Sequence, residues 1–136
     1  MPAPIEQLIP HRAPMRWVDE LLDCTETTAT AMARLDRSHF AVAGAGVIET
    51  ALVECMAQTV AAALGQRMQT RGGDGAANHG MLAAVSNFKI HARPPLDQML
   101  TIEVREVKRL GPMLMIAGKI SCGPELLATG DLSLYA

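Results

Sequence analysis

The chain has 136 residues, 49% hydrophobic and 19% charged, a composition that folds around a core and excludes a disordered protein. That length suits a single domain, expected over residues 1–136, and its net charge of −2 argues against general nucleic-acid binding while leaving room for a local basic patch. The three cysteines, Cys24, Cys55 and Cys122, are far apart and no CxxC or HExxH spacing occurs, so neither a disulfide framework, a metal site nor another cofactor is expected.

The opening stretch "MPAPIEQLIPHR" has no apolar signal core, and no apolar run approaches membrane-spanning length, so a cytoplasmic protein without membrane association is expected. Residues 5–9 can form a helical turn or two before Pro10 interrupts. "MRWVDELLDC" and "TTATAMARLD" read as two strands, followed by a glycine-bearing loop over 37–46. A long apolar helix is expected from about Val47 to Arg67, and four glycines with Asp and Asn mark 70–80 as loop.

Four extended segments follow: "MLAAVSNFKIH", "MLTIEVREVKRL", "MLMIAGKISC" and "LLATGDLSLYA". Thr101, Glu103 and Arg105 alternate with Ile102 and Val104, the period of a half-buried strand. "ARPPLDQ", "LGP" and "CGPE" supply the turns between them. Two strands, one helix and four strands predict an α+β fold. The apolar positions of the helix cover most of its circumference, so a single curled sheet wrapped around it is expected, with a second subunit covering the remainder. A ferredoxin-like domain normally needs two comparable helices, and only one is present.

Glu54 and Gln58 sit one turn apart on that helix among Ala51, Cys55, Ala57 and Ala61, without a counter-charge in the same turn. Most helical glutamates are simply solvated; an acid in so apolar a stretch is also what a dry site needs to hold a carboxyl group near its useful protonation range. The nine methionines are read as adaptable core or as the lining of an acyl tunnel, and Trp17 as core.

"LIPHRAPMRWVDELL" (8–22) resembles, with one residue inserted, the L-P-H-R-x-P-[FM]-x-x-x-D signature of hot-dog-fold 3-hydroxyacyl-[acyl-carrier-protein] dehydratases. "ECMAQT" (54–59) is similar to the E-x-M-A-Q of that family's central helix, and "ATGDLSLYA" more loosely to its last strand. The variant it looks most like is the divergent aryl-polyene-type branch. The resemblance implies a hot dog fold, a curled antiparallel sheet wrapped around one long central helix. It implies a lyase that dehydrates 3-hydroxyacyl thioesters to trans-2-enoyl thioesters, in fatty-acid or polyene-type biosynthesis.

On the same resemblance Glu54 is the helix acid, and His39 in "SHF" corresponds to the histidine of the family's G-H-F-P-G, supplied across a dimer interface. Gln58 would orient the acid, and Gly46 and Val47 would offer a backbone amide to the thioester carbonyl. His11 is expected to pin its loop through hydrogen bonds, and His79 and His91 to be exposed.

The implied partners are an acyl carrier protein with a phosphopantetheine-linked substrate, and a second copy in a homodimer or higher homo-oligomer, or a paralogue in a heteromer. Arg67, Arg71, Lys89, Arg93, Lys108 and Arg109 are candidates for docking the acidic carrier. Two alternatives stay open. One is a hot-dog acyl thioesterase acting through a carboxylate-activated water. The other is a non-catalytic partner subunit of a heteromeric dehydratase, because only the His-Phe of G-H-F-P-G is present.

Overall fold

Alternation of small and branched apolar residues with polar ones builds the sheet. In a computed structural model, which describes residues 2–12, 15–36, 42–43, 46–47, 51–73 and 81–135, the main strands are β1 (Glu20–Cys24), β2 (Thr28–Ala33), β5 (Met81–Ile90), β6 (Leu100–Leu110), β7 (Met113–Cys122) and β8 (Glu125–Tyr135). They form one six-stranded antiparallel sheet in the order β1-β2-β6-β7-β8-β5. Ala29, Ala31 and Ala33 of β2 and Leu100, Ile102 and Val104 of β6 are buried on its inner face, as period-two alternation requires. A short ladder, β3 (Val42–Ala43) with β4 (Gly46–Val47), precedes the helix α1 (Ala51–Thr70).

Two Gly-Pro turns close the β6–β7 and β7–β8 hairpins. Gly111 (φ 59) and Gly123 (φ 56) take the left-handed backbone that the first central position of a tight II′ turn demands, and the following prolines have φ set by their rings. The helix ends by a comparable device. Gly72 (φ 88) donates its N–H to the Gln69 carbonyl (2.9 Å), and Gly73 donates to the Met68 carbonyl (3.0 Å), which is a Schellman closure.

The helix therefore runs later than expected at both ends. Val47 is paired with Val42 in an extended ladder, so its backbone cannot also be the first turn of α1. At the other end the Schellman glycines, rather than Arg67, set the stop.

The expected wrapping of the sheet is corrected by the structure. The sheet is open, with β1 at one edge and β5 at the other, and α1 packs mainly on β1, β2, β6 and β7. The helix-side residues of β5, which pair with the buried Leu134, Leu132 and Ala128, remain exposed: Leu82 at 38%, Val85 at 41% and Ile90 at 38%. A sheet curled around the helix would have buried them. The hot-dog arrangement of one central helix on an antiparallel sheet stands, without the curl.

Cover for the rest of the helix comes from the segment before β1. Ile5, Leu8, Ile9 and Val18 join the core against α1, and the Ala3 N–H donates to Gln66 Oε1 (2.8 Å). Met56, by contrast, faces the sheet, where its side chain lies over Gly118 of β7 in the space a Cβ would need.

Candidate active site

Residues two apart on a helix point about 200° away from each other. With Met56 turned to the sheet, Glu54 and Gln58 are directed to the opposite side of α1, beneath the incoming segment. Gln58 is 1% exposed. Its Oε1 accepts from the N–H groups of Trp17 (2.8 Å) and Val18 (3.2 Å), which fixes the orientation of the amide. Its Nε2 then donates to the Met15 carbonyl (2.7 Å) and to Glu54 Oε1 (3.1 Å). The carboxamide is thus saturated by protein groups, and one of its donors is committed to the acid.

Glu54 itself lies in the first turn of α1, and its side chain is 38% exposed. From outside the helix His11 approaches it, with Nε2 3.9 Å from Glu54 Oε1. The loop that carries His11 is tied down by Arg12, whose guanidinium donates to the carbonyls of Glu6, Ile9 and His11, each at 2.8 Å. The imidazole takes no share in this: Nδ1 is buried with no hydrogen-bond partner among the described residues. The pinning expected of the histidine is done by its neighbour.

The structure therefore brings Glu54, Gln58 and His11 together. His39 lies outside the described residues, as does His79. Gly46 and Val47 are in β4, separated by residues 48–50 from the start of α1. His91 is exposed, with Nε2 3.2 Å from the Thr129 hydroxyl. Sequence reasoning did not place His11 beside Glu54. The signal that could have found it was its place in the same "PHR" signature whose partner motif supplies Glu54.

Beside the acid, Cys55 is fully buried, and its thiol is pushed up to about 12, first by desolvation and then by the charges of Glu54 and Asp19. It is a packing residue rather than a nucleophile. Among the described residues no group of His, Cys, Asp and Glu is arranged to hold a metal ion, and no helix is long and apolar enough to cross a membrane. At the far end of α1, Arg67, Arg71 and Arg109 line a groove of ≈ 350 Å³ together with Glu26 and Glu106. Two of these arginines are paired there, Arg71 with Glu26 (3.7 Å) and Arg109 with Glu106 (3.2 Å).

A family model described as ApeP-like, ApeP dehydratase, matches residues 3–136. No curated protein sequence matches. Among solved structures, a chain of the dehydratase heterocomplex ApeI:P from Xenorhabdus doucetiae superposes with a TM-score of 0.89 at 20% identity, over 98% of this chain and 90% of that one. A hypothetical thioesterase with coenzyme A from Streptococcus pneumoniae TIGR4 gives 0.67 at 12% identity, over 85% and 83%. The PaaI protein of the phenylacetic acid degradation operon of E. coli gives 0.68 at 9% identity, over 86% and 82%. At these identities the likeness to the solved structures is one of fold, shared by dehydratases and thioesterases alike.

Proposed function

The chain belongs to the ApeP-like dehydratase family, and on that premise we propose that it dehydrates 3-hydroxyacyl thioesters carried on an acyl carrier protein, with Glu54 as the acid of the site. The observation that carries this reading is the treatment of Glu54. An acid in a largely apolar stretch of the helix is held through one oxygen by a buried, fully bonded glutamine, while its side chain stays partly open.

In the proposed reaction a base removes the α-proton, and the electron pair of that C–H bond becomes the second bond between Cα and Cβ. The Cβ–O bond breaks, and the hydroxyl leaves as water with the proton that Glu54 donates. His39, from the other subunit, is the proposed base. Backbone amides at Gly46–Val47 or in the first turn of α1 are the proposed donors to the thioester carbonyl, where negative charge develops. Gln58 acts here by orienting Glu54 and not by touching substrate, which agrees with its burial.

The proposed partners are the acyl carrier protein and a second hot-dog chain. The heteromeric nature of the similar ApeI:P complex supports a paralogue in the second role, and with it a second reading, in which this chain is a supporting subunit.

The test is incubation with 3-hydroxyacyl carrier protein, for the chain alone and together with a paralogous subunit, following alkene formation and thiol release by mass. Alkene formation that falls about 10²-fold or more in Glu54→Gln supports the reading. A rate that also falls with added salt supports docking of the carrier on the basic residues around Arg67 and Arg109. Thiol release without alkene makes the protein a thioesterase. Alkene formed only with the paralogue, and unaffected by Glu54→Gln, makes it a supporting subunit.

A further inference from the structure

We propose that His11 is a positioning residue for Glu54, acting from within the same chain through its Nε2–H. The proposal rests on Glu54 being the acid of the site. Three observations carry it. Arg12 holds the backbone of residues 6–11 from three carbonyls, so the ring is presented by a fixed loop. Nε2 faces Glu54 Oε1 at 3.9 Å. Nδ1, on the other side of the ring, is buried with no hydrogen-bond partner among the described residues.

The two ring nitrogens thus have different surroundings, and these select a tautomer. A proton on Nδ1 would bury an N–H without an acceptor, whereas a bare Nδ1 buries only a lone pair and leaves the proton on Nε2, aimed at Oε1 of the Glu54 carboxyl group. At 3.9 Å the contact is longer than a formed hydrogen bond, and bonds of this kind commonly tighten when substrate closes the site.

The consequence concerns which oxygen of Glu54 reacts. Oε1 already accepts from Gln58, and His11 converges on the same atom. Two donors on Oε1 leave Oε2 as the place for the transferable proton and turn it towards the substrate hydroxyl. A buried imidazole nitrogen without a partner, otherwise an unexplained cost, becomes the condition that keeps the donor on the useful side of the ring.

Nitrogen-15 NMR of the ring in the assembled protein, with kinetics of three variants, tests this. The expected spectrum has a protonated Nε2 and a bare Nδ1. His11→Gln places an amide N–H close to the position of Nε2, whereas His11→Asn places one close to Nδ1. In His11→Ala and His11→Asn, kcat should fall about tenfold with KM little changed, and His11→Gln should recover most of the loss.

A proton found on Nδ1 overturns the proposal, as does wild-type kcat in His11→Ala. Equal losses in His11→Gln and His11→Ala, matched by equal losses of thermal stability, would make His11 structural. Failure of the underlying reading shows separately, as full activity in Glu54→Gln. If the wild type forms no alkene, the ring tautomer alone decides.

Discussion

Removing the carboxamide of Gln58 would strip the Trp17 and Val18 N–H groups and the Met15 carbonyl of their partners in a place that water reaches poorly. Gln58→Leu keeps the volume and loses these bonds, so it should destabilise the protein by about 3 kcal/mol, measured as a lower denaturant midpoint with unchanged slope. A second expectation concerns Cys55, whose thiol is raised from the ordinary 9.0 to about 12. Below pH 9.0 the thiol is neutral in both states, so its stabilising effect is fully present. As the pH climbs from 9.0 towards 12 the unfolded chain ionises first, and stability should fall. Alkaline unfolding should be less steep in Cys55→Ala, and peptide mapping after brief alkylation of native protein should find Cys55 unmodified. At this scale Glu54 and Gln58 drew notice because an acid and an amide stand out in an apolar run, and the structure does bond one to the other. The approach of His11 to Glu54 was not foreseen, because it comes from a loop folded back over the helix, which periodicity does not encode and to which only the "PHR" motif points.

At the level of elements, β5 and β8 meet through a close approach that can be tested. The ring of Phe88 lies over Gly130 where a Cβ would stand, next to a bulge at Asn87, whose φ is 51 and whose amide donates to Asp131 (3.0 Å). Gly130→Ala must displace that ring from the sheet face and should cost about 1–3 kcal/mol in equilibrium unfolding. Gly118→Ala meets only the flexible end of Met56, 2.8 Å away, and should cost less. Each main strand was readable from alternation and from the Gly-Pro turns. The start of α1 was not, because "VIET" continues the apolar run while Val47 is taken by a ladder with Val42, a pairing set by backbone rather than by side-chain pattern.

On the scale of the whole molecule, the open edge at β5 dominates. Leu82, Val85 and Ile90 present apolar surface on the helix side of a strand whose outer backbone groups have no neighbouring strand among the described residues. A second hot-dog chain against this edge would cover both the residues and the backbone groups. Val85→Glu should therefore lower the mass seen by sizing with light scattering, or abolish capture of the paralogous subunit, while the isolated chain keeps its fold. An unchanged assembly would place the contact elsewhere. The sequence of β5 reads as an extended segment, and alternation reports which faces are apolar but not which strand ends the sheet. The expected curl came from counting apolar positions on the helix without counting the cover that residues 2–12 and 15–18 provide.

The bonds of Gln58 also join parts of the protein in time. The amide protons of Trp17 and Val18 are held by the residue that holds Glu54, so their exchange with deuterated solvent reports each opening of the segment before β1. That segment comes early in the chain, and its docking onto α1 completes the environment of the acid. Peeling it away, by a protease cut or by a mutation far from Glu54, would break the bonds that fix Gln58 and is expected to disarm the proposed site.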